Sequence, residues 1–174
     1  MQSVDAAWRA WLDTLGTVGS DELARPGLGE WNVRELIAHT LRAATTVDRF
    51  LDEVRPAIEV PDAERYCELA DSMTEAQHAA VAQRGRDGAE ALPSDAPALR
   101  VAAVCVVEAT LRRLRVTTGE EVGATAFGAM GLDEYLRTRL VEVITHHRDL
   151  CHALGRPVSQ PVDAVDEVAA ILPR

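Results

Sequence analysis

Glu142 and His146 stand four residues apart in the stretch Tyr135–Asp149. On a helix, that spacing sends a carboxylate and an imidazole from one face, one turn apart. Both groups bind metals, and helical zinc sites use this spacing. His39, on another segment, can supply a third ligand. Two imidazoles and one carboxylate leave a coordination position open, as in a catalytic rather than a structural divalent-metal site. Nitrogen-rich ligation suits zinc first, with nickel, iron and manganese also compatible. The spacing also fits a plainer arrangement, with Glu142–His146 as a local pair and His39 as a hydrogen-bonded core histidine. His147 lies about 100° round the helix from His146. It belongs to the apolar side and is the competing ligand if the helix is rotated.

The surrounding pattern sharpens the question. Tyr135, Arg139, Glu142, His146 and Asp149 fall within an arc of about 80°. Beside them runs an apolar stripe of Leu132, Leu136, Leu140, Val143, Leu150 and Leu154. A surface helix usually sets its charges opposite its apolar stripe. Here the polar row flanks that stripe, so part of it must face inward. Buried charges are costly unless they pair or bind a metal. Arg139 suits anchoring a carboxylate or neutralising Glu142. Asp149 suits accepting a hydrogen bond from a ligand imidazole or from a neighbouring helix. His78 and His152 lack patterned partners and are expected to face solvent.

Helices must position these groups. Residues 2–18 form a first helix on the spacing of Val4, Trp8, Trp11 or Leu12, and Leu15, and residues 19–30 a loop. Asn32 caps a second helix, with Glu35 completing a capping-box-like pair and Trp31 stapling against the first turn. This helix runs to Val54. Its stripe of Leu36, His39, Ala43, Val47, Phe50 and Val54 places His39 on the buried side. A weaker third helix is expected from Pro61 to Arg84, then a loop over 85–97. A fourth, over 98–115, is apolar all round and so expected at the centre of the core. Residues 116–131 form a glycine-punctuated connection with a short extended piece at Val116–Thr118. A fifth helix covers Leu132–Leu154, stopped by Gly155 and Pro157. A short terminal helix is expected within 161–172. The result is one all-α domain over 1–174, a four-helix bundle with a long crossover and short extra helices.

Composition narrows the class. The chain has 174 residues, 47% of them hydrophobic, enough for a full core. No apolar run reaches the roughly 20 residues of a membrane span. Met1–Asp5 shows no basic-then-apolar signal pattern, so the cytoplasm is the expected location. The net charge of −10 argues against nucleic acid. All 18 basic residues are arginine. Cys67, Cys105 and Cys151 form no CxxC pair, and Cys105 reads as a core residue. Serine-hydrolase, phosphate-loop, dinucleotide and HExxH motifs are absent.

Two segments carry a family resemblance. Gly29-Glu-Trp-Asn-Val-Arg-Glu-Leu-Ile-Ala-His39 resembles the motif near the start of the mycothiol-dependent maleylpyruvate isomerase N-terminal domain, a member of the DinB/YfiT-like superfamily of metal-binding four-helix bundles. Tyr135–Gly155 resembles that family's later R-l-x-E-l-x-x-H-x-x-D motif. Together they extend the resemblance over residues 5–172. It implies a divalent metal, commonly zinc, held by His39, Glu142 and His146, with a mycothiol-like thiol as cofactor. His147-Arg148 departs from the family, where small and aromatic residues are common. The resemblance covers only the first domain of the full isomerase. The expectation is therefore an S-transferase or isomerase type of reaction between a low-molecular-weight thiol and a small electrophile. Asp149 would orient a ligand and Arg139 assist anion binding or orientation. The alternative is a non-catalytic bundle that binds a small apolar ligand or forms a homodimer, with a structural metal or none.

Overall fold

The computed structural model describes residues 2–172. Seven helices dominate them: α1 (Gln2–Leu15), α2 (Val33–Asp52), α3 (Ala63–Asp71), α4 (Glu75–Glu90), α5 (Ala96–Leu114), α6 (Leu132–Ala153) and α7 (Val162–Ile171). A two-stranded sheet, β1 (Val122–Thr125) and β2 (Gly128–Gly131), precedes α6. The fold is the all-α, DinB-like bundle, built from α1, α2, α5 and α6. Helices α2 and α6 run antiparallel. Phe50 stacks on Tyr135 at 4.4 Å near one end, and His39 meets His146 at 4.8 Å further along. Helices α2 and α5 run parallel, since Thr110 bonds back to Ala44 while Arg113 reaches Asp48 and Asp52. A parallel pair needs a long crossover, and α3 and α4 form it.

Local chemistry explains where α2 begins. The Asn32 side chain accepts from the Glu35 backbone, and the Glu35 carboxylate accepts from the Asn32 backbone. Two otherwise unpaired amides are thereby satisfied, and replacing such a cap costs about 1 kcal/mol. At the end of α6, Gly155 takes φ +63°, the left-handed conformation that closes a helix without steric cost. One continuous core runs through the bundle, with Trp11, Leu36, Ile37, Phe50, Leu99 and Leu140 among its buried side chains.

Four expectations need correction. The third helix is two helices, because Thr74 and Gln77 form a second capping box that starts α4. The loop expected over 85–97 shrinks to 91–95, because α4 runs on to Glu90 and α5 starts at Ala96. Gly85 is helical and lies against Trp31, where a Cβ would come within 2.9 Å of the indole. Helix α5 is not enclosed: Val101 is 64% exposed and Cys105 is exposed, so apolar composition all round did not mean burial all round. The extended piece is not at Val116–Thr118 but is the β1–β2 hairpin, with Val122 paired to Gly131 and Thr125 to Gly128. No described helix is long and apolar enough to cross a membrane.

Candidate metal centre

His39, Glu142 and His146 converge although 103 residues of chain separate the first two. One ligand atom from each lies within 4.8 Å of the others. Glu142 Oε2 is 3.6 Å from His39 Nε2 and 3.3 Å from His146 Nε2. The imidazoles meet edge to face, 82° apart. Both histidines are largely buried, whereas Glu142 keeps 35% of its side chain exposed, so the centre opens on the carboxylate side. A nitrogen–nitrogen–oxygen set of this size fits a divalent ion with a position left over.

The surroundings fix these groups. Asp149 Oδ2 lies 3.0 Å from His146 Nδ1, so the distal nitrogen is held while Nε2 faces Glu142. His39 Nδ1 is buried without a partner among the described residues. Its ring instead packs against that of Trp31, with 4.4 Å between ring centres and 35° between the planes. Trp31 also reaches α4. Its indole nitrogen donates to the Ala82 carbonyl at 3.1 Å, and its ring is wedged against Gly85. The tryptophan thus links α4 to a proposed ligand.

Electrostatics follow from the same contacts. Burial opposes the Glu142 charge, but hydrogen bonds from His146 and His39, with the Arg139 charge, outweigh it and hold the carboxyl well below its ordinary range. Burial likewise opposes protonation of His146. Asp149 and Glu142 overcome it and raise the group to about 9 in the metal-free protein. Arg139 is only 7% exposed. Its guanidinium lies 4.8 Å from the Tyr135 ring centre and 5.5 Å from that of Tyr66, and it donates to the Tyr66 hydroxyl. Burial works against its charge, but the two tyrosines and Glu142 more than compensate, so it stays cationic. Tyr66 is delivered by α3, which Arg137 ties to α6 through Glu64 and Glu134.

His147 points elsewhere. It is fully buried against α1, with Nε2 2.7 Å from Thr14 Oγ1, and burial alone lowers its pKa. It contributes nothing to the three-residue cluster. His78 and His152 are exposed, as expected, while Cys67 and Cys151 are buried and free. Trp31, Tyr66 and Thr14 were missed as contributors. Only Trp31 lay within a recognisable motif.

The fold is a DinB-like helical bundle, and it carries a cluster of two histidines and one carboxylate able to hold a metal ion. Residues 4–151 match the family described as the mycothiol maleylpyruvate isomerase N-terminal domain, and the chain belongs to that family. A solved structure entitled "Crystal structure of the mycothiol-dependent maleylpyruvate isomerase" superposes with a TM-score of 0.58 at 18% identity. The match covers 97% of this chain and 65% of the isomerase, so the chain spans just under two thirds of that protein. No curated protein matches.

Proposed function

We propose that this chain is a metal-dependent enzyme that uses a low-molecular-weight thiol, mycothiol first, in an S-transfer or isomerisation reaction on a small electrophile. The observation that carries this reading is the convergence of His39, Glu142 and His146 on one partly open point. Membership of a family named for a mycothiol enzyme supports the choice of thiol. The three residues would hold the ion, with zinc the first expectation. When bound, the ion would stabilise a thiolate at neutral pH, where a free thiol is mostly protonated.

The chain's own residues have definable parts. Asp149 accepts a hydrogen bond from the His146 Nδ1–H, which leaves the lone pair of Nε2 facing the centre. Trp31 restrains the His39 ring by packing against it. Arg139 keeps a fixed positive charge behind Glu142 and orients negative charge arriving at the open side. Tyr66 and Tyr135 shield that guanidinium from water. The cytoplasm is the proposed location, and a small molecule and a thiol are the proposed partners.

The test is metal content after purification without chelator, followed by thermal shift with mycothiol. About one ion per chain and a thiol-dependent shift are expected. If His39→Ala and His146→Ala proteins retain the wild-type metal content, the ligand assignment is wrong. Metal without any response to thiols would favour a structural ion in a non-catalytic bundle.

A further inference from the structure

We propose that the groove between the end of α1 and the first half of α5 binds a small amphipathic carboxylate, with Arg100 taking the carboxylate and the neighbouring valines the aliphatic tail. The groove is separate from the three-residue centre. Helices α2 and α6 hold that centre, whereas α1 and α5 pack together on the other side of the bundle. The groove has a volume of about 440 Å³. Small-molecule sites span roughly 300–1,000 Å³. Leu15 and Val18, both buried, line it from α1 and the turn that follows, and Val101, Val104 and Cys105 line it from α5. Val101 is exposed there, and an aliphatic ligand would take that surface out of water.

The groove carries one sign of charge, in a definite place. Arg100 is the only charged side chain among the described residues that line it, in a chain whose net charge is −10. Its guanidinium lies face-on over Gly16. A Cβ at Gly16 would stand 2.9 Å from the guanidinium carbon and 3.0 and 3.1 Å from its two terminal nitrogens. Only a residue without a side chain leaves room for that seat. The seat also sets the cation at the carbonyl end of α1, where positive charge is favoured. One flat side of the fork is thus covered by backbone. Arg100 is exposed, and no carboxylate among the described residues lies within 4.0 Å of it, so the donor edge of the fork is open.

Size and charge together select the ligand. A guanidinium edge matches a carboxylate in two parallel hydrogen bonds. Beyond Arg100 the lining side chains are aliphatic apart from the Cys105 thiol, so they offer little to a sugar or a nucleotide. A second copy of the chain would need about 20–30 residues a side for a stable interface, and the handful lining the groove falls well short. An eight-carbon carboxylate has about ten heavy atoms, which at roughly 30 Å³ each fill about 300 Å³. It therefore fits the groove. The ligand inferred is a medium-chain aliphatic carboxylate.

The experiment is calorimetric titration of the purified protein with octanoate and, separately, with octanol, together with the rate at which iodoacetamide alkylates Cys105. Cys105 is exposed in the groove while Cys67 and Cys151 are buried, so that rate reads occupancy at this place. Octanoate should bind to a single saturable site, below the concentration at which it self-associates, and should slow alkylation. Arg100→Gln should weaken octanoate at least about tenfold, the loss of a charged hydrogen-bonded pair, and leave octanol unchanged. Arg100→Lys should restore part of the loss. Gly16→Ala, which displaces the guanidinium from its seat, should also weaken octanoate. Unchanged octanoate affinity in Arg100→Gln, or no protection of Cys105, would overturn the proposal. Octanol binding as tightly as octanoate would overturn the carboxylate assignment. A dimer in sedimentation, with Cys105 protected before octanoate is added, would also overturn it, since a second copy would then fill the groove.

Discussion

Helix α6 carries two adjacent imidazoles that live in opposite electrostatic worlds. On the side facing α2, His146 meets Glu142 and Asp149 and is raised to about 9. On the side facing α1, His147 meets one hydroxyl and the core, and burial lowers it. Both are largely or wholly out of water, so burial acts against protonation of each. The difference lies in the partners: two carboxylates overcome desolvation, and one threonine does not. A histidine next to a proposed ligand is therefore not a spare ligand. One residue of helix, about 100°, moves a side chain from a polar centre to a packed interface.

The largest expected effect breaks the comparison outright. Replacing Glu142 with Ala should reduce bound metal from about one ion per chain to background, because the remaining imidazoles form an incomplete site. Replacing His147 with Ala should leave the metal in place and cost about 2–3 kcal/mol of stability through the cavity left in the core. Elemental analysis and urea unfolding, run on both proteins, separate the two outcomes. Comparable metal loss in both would show that the two faces are not independent.

Asp149→Ala comes next. Removing the acceptor on His146 Nδ1 should weaken metal affinity by about 10–100-fold without unfolding the bundle. Competition with a fluorescent chelator measures this. Affinity equal to that of the wild type would mean that Asp149 does not position the ring.

The two imidazoles should also give the metal-free protein opposite pH slopes. His146 is raised in the fold from an ordinary value of 6.5. Its stabilisation is therefore complete below 6.5 and lost as pH rises through about 9. His147 is lowered from the same 6.5. The fold prefers it neutral, so its contribution is present above 6.5 and declines as the pH falls below that value. Glu142, held low, loses its contribution only further into acid. Urea unfolding in chelator from about pH 5 to about pH 9.5 should show His146→Gln removing the alkaline decline and His147→Gln softening the acid one. Identical profiles in the two variants would break the contrast.

The smallest effect is at Thr14. Thr14→Val removes the partner of His147 Nε2 and should cost about 1–2 kcal/mol in chemical unfolding, with metal affinity untouched.

Much of this was legible in the sequence because helices are periodic. The row from Tyr135 to Asp149 and the buried stripe holding His39 follow from 3.6 residues per turn. Their meeting across 103 residues did not follow from periodicity. It required the family resemblance or the fold. What stayed illegible depends on neighbours from other segments. Gly85 reads as a loop residue, yet it is helical, and the Trp31 ring occupies the space a Cβ would fill. The apolar circumference of α5 does not reveal that Val101 and Cys105 face outward. The break before α4 was readable, since Thr74 and Gln77 have capping-box spacing, but no glycine or proline drew attention to it.

The contact of Trp31 with His39 also makes the centre visible to light. Of the three tryptophans, Trp8 and Trp11 are buried against each other on α1, whereas Trp31 alone touches a proposed ligand. An indole in contact with an imidazole changes its emission when that ring gains a proton or a metal. In a Trp8→Phe, Trp11→Phe protein, the fluorescence of Trp31 should report, without any label, each time the centre fills.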